Sequence, residues 1–97
     1  MKQIQRGVEN VKEYERQKQE LVDSLEYFCD NKRHLVCKPY SFVNLHLMAE
    51  DLGIKKCWFH KDHYDIPKRR IDEITKKCQV VSPKDIVRII KGGKNAQ

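Results

Sequence analysis

The residues best suited to chemistry lie in one segment, residues 57–70, which reads CWFHKDHYDIPKRR. This segment holds the only tryptophan, two of the four histidines, two aspartates and a run of three basic residues. Imidazole, phenol and carboxylate groups need hydrogen-bond partners once they are buried, so this mixture is poorly suited to filling a core. It is well suited to holding a polar, negatively charged ligand. The alternative interpretation is that the aromatic residues belong to the core and the others form a solvated loop.

We predict a ligand site that combines cationic, aromatic and acidic side chains. Its candidate members are His34, Trp58, His63, Tyr64, Asp65, Lys68, Arg69 and Arg70. Arginine and lysine hold phosphate groups, and tryptophan or tyrosine stacks on a base, so the expected ligand is a nucleotide-type anion. Asp65 would accept from a ribose hydroxyl or a base amine, or orient a histidine. The alternative for His34 is a capping role beside a strand, and His46 is expected to be a structural hydrogen-bonding residue.

Catalysis by the same residues is an alternative. His63 with Asp65 could act as acid and base, and His34 with His63 resembles the histidine pair of two-histidine phosphodiester chemistry. However, the sequence has no Gly-x-Ser-x-Gly motif and no glycine loop that could hold a phosphate. A zinc ion needs three or four ligands in tetrahedral geometry, which residues 57–65 are poorly placed to provide from one short loop. We therefore predict a binding protein without a metal or a cofactor.

Length and composition indicate one domain with a modest core. The chain has 97 residues, of which 35% are charged, and a net charge of +6. The basic excess lies in its second part, because residues 1–31 carry a net charge of −2 and residues 32–97 a net charge of +8. A basic body attracts anions such as nucleotides, nucleic acid or acidic protein surfaces, although solubility alone is the simpler explanation.

Several other classes of protein are disfavoured. No apolar run approaches the ~20 residues that span a membrane, and the first residues lack the apolar stretch of a secretory signal. We therefore expect a cytoplasmic protein. The four cysteines include no Cys-x-x-Cys pair, which argues against a zinc ribbon and against a disulfide framework. We expect the cysteines to be small buried hydrophobic residues.

Residues 5–31 are predicted to form a long helix, because they lack proline and carry apolar residues at alternating three- and four-residue intervals. The positions of this heptad seam are Ile4, Gly7, Val11, Tyr14, Lys18, Leu21, Leu25 and Phe28. Such a helix spans ~40 Å, more than one small domain covers. We expect Val11, Tyr14 and Leu21 to be exposed unless a second copy covers them, and we predict a homo-oligomer. The alternative is an amphipathic helix packed on its own domain.

The body of the chain, residues 32–93, is predicted to contain three strand–helix units, followed by a tail at 94–97. Strands are expected at residues 34–37, 54–59 and 79–81, and helices at residues 42–52, 67–77 and 83–91. Alternating strands and helices imply an α/β fold with a small, mainly parallel sheet. Ligands bind beyond the carboxyl ends of such strands, where a loop with His63, Tyr64 and Asp65 would lie.

A set of short motifs in a fixed order spans residues 33–90. They are His34-Leu35-Val36, Leu45-His46, Ala49, Leu52-Gly53, Trp58-Phe59, His63-Tyr64-Asp65, Lys68-Arg69-Arg70 and Val80-Val81-Ser82. In these motifs the chain resembles domain-of-unknown-function family 4031, a family of small bacterial and phage proteins. The resemblance implies a small α/β fold and a phage or bacterial setting, but no mechanism.

The chain is expected to depart from that family at two places. Family members typically begin with a short strand that ends in acidic residues, whereas this chain is expected to have its long helix there. They also tend to have a glycine before the third strand, where this chain has Lys77-Cys78. If the missing strand carries part of the family site, the site in this chain is altered.

These features together predict a non-catalytic protein that binds an anionic small molecule. Its expected role is that of a phage counter-defence protein that sequesters a host nucleotide signal. One alternative is a phage factor that binds nucleic acid or inhibits a host protein. The other is a phosphodiesterase-like or nuclease-like enzyme that uses His63 and Asp65.

Overall fold

The computed structural model describes the backbone of residues 2–96 and the side chains of residues 11–94. Within residues 2–96, four helices and five short strands alternate irregularly. They are α1 (Lys2–Asp23), β1 (Glu26–Cys29), β2 (His34–Lys38), α2 (Phe42–Leu52), β3 (Phe59–His60), β4 (His63–Asp65), α3 (Ile71–Thr75), β5 (Gln79–Val80) and α4 (Pro83–Ala96). Single 3-10 turns precede β3 and α3, at Lys56–Trp58 and Lys68–Arg70. The predicted α/β class is confirmed.

The five strands form one mixed sheet in the order β3-β4-β2-β1-β5. Three neighbouring pairs are antiparallel and only β1 with β5 is parallel. The prediction of a mainly parallel sheet was therefore wrong. The reason is that β1 and β2 are joined by a short turn, as are β3 and β4, and short connections permit only antiparallel pairing.

The prediction of a helix over residues 5–31 was also wrong about the residue at which the helix ends. Helix α1 ends at Asp23, and β1 follows after two residues. The apolar spacing of the helix continues through Leu25 and Phe28, so periodicity alone does not show the change. The run Tyr27-Phe28-Cys29 has the aromatic character that favours strands, and it pairs with Leu35, Val36 and Cys37 of β2. Pairing across the sheet therefore decides the conformation of this segment.

Helix α2 forms where the sequence predicts it. The Ser41 hydroxyl caps its first turn by accepting from the backbone N–H of Asn44 at 3.0 Å. Gly53 ends the helix in the left-handed conformation, with φ 71°. Leu45, Met48 and Leu52 are buried against the sheet.

The region after Gly53 departs from prediction in four places. The strand expected at residues 54–59 is a 3-10 turn followed by the two-residue β3, and the expected loop with His63, Tyr64 and Asp65 is strand β4. The helix expected at 67–77 is shortened to a 3-10 turn and α3. Helix α4 continues through Gly92-Gly93 to Ala96, so the expected tail at 94–97 is helical as far as it is described. At Gly93 the helix lies so close to Tyr40 that a Cβ atom would overlap the Tyr40 side chain, so this packing requires glycine.

The sheet lies between helices. Helix α2 contacts β2 and β4, and α4 contacts β2. The His46 ring of α2 lies against Tyr64, whereas α4 faces the side chains of His34 and His63. Since neighbouring residues of a strand point to opposite faces, α2 and α4 cover opposite faces of the sheet.

The cysteines are all free thiols, and their environments differ. Cys29 and Cys37 are buried as predicted, and burial raises the pKa of the Cys37 thiol to about 12. Cys78 is half-buried, and Cys57 is exposed, so the prediction of a buried residue was wrong for Cys57.

Helix α1 packs on α2 through its C-terminal half, where Val22 is buried. Val11, Tyr14 and Leu21 are exposed, as predicted for a helix that extends past the body. The Lys18 ammonium forms an ion pair with Glu50 of α2 at 2.7 Å. Ile4 and Gly7, at the start of the predicted seam, lie outside the residues whose surroundings are described. None of the described helices is long and apolar enough to cross a membrane.

Candidate functional site

Two neighbouring strands bring histidine and aspartate side chains together on one face of the sheet. β2 and β4 are antiparallel with His34 opposite Asp65, and His63 lies two positions before Asp65, so all three project from the same face. One candidate ligand atom from each of these residues lies within 4.8 Å of the other two. The rings of His34 and His63 meet edge to face, with centroids 4.9 Å apart. We call His34, His63 and Asp65 the His-Asp cluster.

Asp30 supports this cluster from the turn between β1 and β2. Its side chain is 0% exposed, and its Oδ2 atom lies 2.8 Å from Nδ1 of His34. Its Oδ1 atom accepts from the backbone N–H groups of Lys32 at 2.8 Å and His34 at 3.0 Å. The carboxylate thus closes the turn and fixes the His34 ring at the same time.

A second aspartate supports His63 in the same way. Oδ1 of Asp62 lies 2.8 Å from Nδ1 of His63, and Oδ2 accepts from the Lys94 ammonium at 3.2 Å. Burial alone would raise the pKa of the Asp62 carboxyl, but these hydrogen bonds outweigh burial and hold the pKa below its usual value. The other ring nitrogen of His63, Nε2, lies 3.3 Å from Oδ1 of Asp65. His63 is therefore held between two carboxylates.

A cavity of about 320 Å³ lies between the cluster and helix α4. His34, Asp62 and His63 form its sheet side. The helix contributes apolar side chains and two lysines, namely Pro83, Ile86, Val87, Ile90, Lys91 and Lys94. A small ligand at this place would contact imidazole rings on one side and aliphatic groups on the other. The arrangement could transfer protons at His63 or hold a cation between the two rings and Asp65.

Tyr64 lies on the opposite face of β4 from the cluster. It is 1% exposed, and its hydroxyl is hydrogen-bonded to Nδ1 of His46 at 2.7 Å. Phe59 packs edge to face on the same ring. The structure therefore places Tyr64 in the core, and His46 has the structural hydrogen bond that the sequence predicts.

The remaining predicted residues line a second and larger cavity, which we call the basic cavity. Its volume is about 790 Å³, and it is lined by Arg33, Gly53, Ile54, Lys55, Cys57, Trp58, Pro67, Lys68, Arg69 and Arg70. The Trp58 side chain forms part of the wall and is 37% exposed. This cavity shares no lining residue with the cavity beside α4. The predicted site is therefore divided into two.

The cations of the basic cavity differ in how they are bonded. The Arg70 guanidinium donates to the backbone carbonyls of Leu52 and Gly53 at 2.5 and 2.7 Å and pairs with Glu73. It therefore ties the end of α2 to α3. The Arg33 guanidinium donates a long hydrogen bond, at 3.5 Å, to the carbonyl of Ile66. Within residues 11–94, no carboxylate lies within ion-pair distance of Arg33, Lys55, Lys68 or Arg69.

Four residues were not among the predicted site residues: Asp30 and Asp62, which support the His-Asp cluster, and Arg33 and Lys55, which line the basic cavity. Asp30 was placed inside the predicted helix, although the run Tyr27-Phe28-Cys29 before it signals a strand. Arg33 was part of a segment interpreted only as a helix break. Its φ of 68° is a turn conformation that is uncommon for arginine and is held here by Asp30.

Comparison with known proteins identifies the family of this chain but gives no activity for it. Searches of curated proteins and of solved structures found no match to this chain. A family model described as "Protein of unknown function (DUF4031)" matches residues 21–92, which run from the end of α1 into α4. The match includes β1, which is followed by Asp30. The prediction that the long helix occupies this part of the chain was therefore wrong, because residues 26–29 form strand β1. The chain belongs to the family of proteins of unknown function DUF4031.

Proposed function

We propose that this protein binds a phosphate-bearing small molecule of the nucleotide type in the basic cavity. One observation carries the proposal: Arg33, Lys55, Lys68 and Arg69 line a cavity beside the half-exposed Trp58. The volume of about 790 Å³ falls in the usual range for small-molecule sites. Guanidinium and ammonium groups hold phosphate oxygens, and an indole ring offers a stacking surface to a base.

Charge balance also favours an anion at this place. Four cationic side chains around one cavity repel each other, and no carboxylate of residues 11–94 pairs with them. A bound phosphate would relieve that repulsion, whereas an uncharged ligand would not. Trp58 would then select ligands that also carry a flat ring.

The intrinsic fluorescence of Trp58 provides the test, because it is the only tryptophan in the chain. We expect adenosine nucleotides and cyclic dinucleotides to quench this fluorescence and adenosine without phosphate to bind far more weakly. The double variant Lys68→Ala/Arg69→Ala should lose roughly 1.5–3 kcal/mol of binding free energy, because charge-assisted hydrogen bonds to phosphate are removed.

The matched control is Lys84→Ala/Arg88→Ala, which removes the same charges from α4, outside the basic cavity. This control should bind like the wild type. Equal weakening in the two double variants would show that only net charge matters, and absence of any quenching by phosphorylated ligands would reject the site. A log-linear fall of affinity for duplex DNA with salt would instead support the nucleic-acid alternative.

We further propose that the bound molecule is a host nucleotide signal and that the protein sequesters it in the cytoplasm as a phage counter-defence protein. The support for this role is the resemblance to small phage proteins. A sequestering protein returns its ligand chemically intact after heat denaturation. The second candidate function is hydrolysis of a phosphodiester, which the convergence of His34, His63 and Asp65 favours. A changed product that is lost in His63→Ala would support the enzyme.

We also propose self-association through α1. The support is the exposure of Val11, Tyr14 and Leu21 on one helix, because an apolar stripe of this kind is uncommon on a monomer. We expect light scattering at high protein concentration to give an oligomeric mass for the wild type. Leu21→Asp should give a monomer, and Lys18→Leu should tighten the assembly even though it removes the ion pair with Glu50. A monomeric wild type would contradict the proposal and leave α1 as a helix packed on its own domain.

A further inference from the structure

The His-Asp cluster has a composition that the basic cavity lacks. Two imidazole rings and one carboxylate, from two paired strands, present ligand atoms within 4.8 Å of each other. We propose that His34, His63 and Asp65 bind one divalent transition-metal ion of the zinc class. The site is separate from the proposed nucleotide site, so either proposal can fail without the other.

The distances are close to those of a coordinated ion. Zinc–nitrogen and zinc–oxygen bonds of ~2.0–2.2 Å at tetrahedral angles separate two ligand atoms by about 3.4 Å. Nε2 of His63 and Oδ1 of Asp65 are already 3.3 Å apart. The third ligand atom, from His34, lies within 4.8 Å of both, so its separations exceed the tetrahedral value by at most ~1.4 Å.

Each histidine of the cluster also has a hydrogen bond, from its second ring nitrogen to an aspartate, of the kind found at metal-binding histidines. Metal-binding histidines commonly donate their second ring nitrogen to a carboxylate, which fixes the ring and its tautomer. His34 has this partner in Asp30 at 2.8 Å, and His63 has it in Asp62 at 2.8 Å. With Nδ1 of each ring occupied in this way, Nε2 is the nitrogen left for the ion. Two histidines that merely lie side by side on a surface would not each have a carboxylate partner of this kind.

The ligand types and the surroundings select the class of ion. Imidazole suits zinc, iron, nickel and copper, whereas magnesium and calcium prefer oxygen ligands. Three protein ligands leave one coordination position open for water or a substrate. His34 and His63 both line the cavity beside α4, so water or a substrate could reach that position from this cavity. The Lys94 ammonium at the edge of the cavity is paired with Asp62 and so repels a cation less than a free lysine would.

Calorimetry with zinc on the intact, reduced protein tests the proposal directly. We expect one zinc ion per chain, a much weaker response to magnesium, and a thermal unfolding temperature that rises with zinc. Cobalt should give the visible absorption of a tetrahedral complex. His34→Ala, His63→Ala and Asp65→Asn should each weaken zinc binding by at least tenfold, and Asp30→Asn by roughly 10–100-fold, the effect of losing an outer partner.

His60→Ala and Cys57→Ser are the controls, because both residues are of metal-binding types and lie outside the cluster. His60 is exposed, and its ring centroid lies 5.5 Å from that of His63. Both variants should bind zinc like the wild type. A wild type that takes up no zinc overturns the proposal without any variant. Equal losses in His60→Ala or Cys57→Ser, or equal binding of magnesium, overturn it as well.

Discussion

Replacing Asp30 by alanine is expected to destabilise the protein by about 3 kcal/mol or more. The lost carboxylate accepts three hydrogen bonds in a buried place, and each bond to a charged acceptor contributes ~1.5–3 kcal/mol. The two backbone N–H groups of Lys32 and His34, and Nδ1 of His34, would lose their partner together. The turn between β1 and β2, in which Arg33 has a positive φ, would lose its main support. Urea unfolding followed by circular dichroism measures this loss.

Asp62→Ala provides the matched control, since it also removes an aspartate bonded to Nδ1 of a histidine. The Asp62 side chain is 28% exposed, and water can replace its bonds to His63 and Lys94. We expect a loss of only ~1 kcal/mol or less for this variant, as is usual for exposed pairs. Similar losses for the two variants would show that burial of Asp30 does not matter to the stability of the fold.

Asp30→Asn separates the structural role of this residue from its role at the cluster. The amide keeps an oxygen for the backbone N–H groups, so most of the stability should remain. Its NH₂ group would donate to Nδ1 of His34 and so reverse the tautomer of the ring, with the proton now on Nε2. A folded Asp30→Asn protein that binds zinc as tightly as the wild type would contradict the role assigned to Asp30.

Gly93→Ala is expected to destabilise the protein by ~1–3 kcal/mol, the usual cost of overpacking a core. A Cβ atom at this position would lie 2.3, 2.5 and 2.6 Å from three atoms of the Tyr40 side chain. Tyr40 is itself buried, and its hydroxyl donates to the carbonyl of Asp62 at 2.8 Å. The ring therefore has little room to move, and α4 would have to shift away from the sheet. Thermal unfolding measures the effect.

The neighbouring glycine gives the opposite expectation. A Cβ at Gly92 meets no atom within 4 Å, and alanine favours a helix over glycine by ~0.8–1.0 kcal/mol. Gly92→Ala should therefore stabilise the protein slightly while Gly93→Ala destabilises it. If both substitutions stabilised the protein, α4 would not be packed against Tyr40 at Gly93. Because Tyr40 bonds to the turn that holds Asp62, Gly93→Ala should also weaken the support of His63.

Only part of the candidate site could be predicted from the sequence. The segment from Trp58 to Arg70 was found because its residue types are unusual for a core. The sequence did not predict that these residues divide between the His-Asp cluster, the core and the basic cavity. That division depends on which face of β4 each side chain occupies. Once residues 63–65 form a strand, His63 and Asp65 face α4 and Tyr64 faces α2. The absence of a metal was predicted from one loop alone, whereas the third ligand of the proposed site, His34, comes from β2.

Local patterns of the sequence determined the parts that need only local contacts. Ser41 and Gly53 fixed the bounds of α2, because a cap and a left-handed glycine act within one helical turn. The tertiary structure decided the rest. Residues 26–29 fit a helical period and also a strand, and only pairing with β2 selects the strand, which brings Asp30 to His34. Arg70 was assigned to the ligand by its charge, yet its partners are the carbonyls at the end of α2. These contacts join residues far apart in the chain, and no spacing within a single segment contains them.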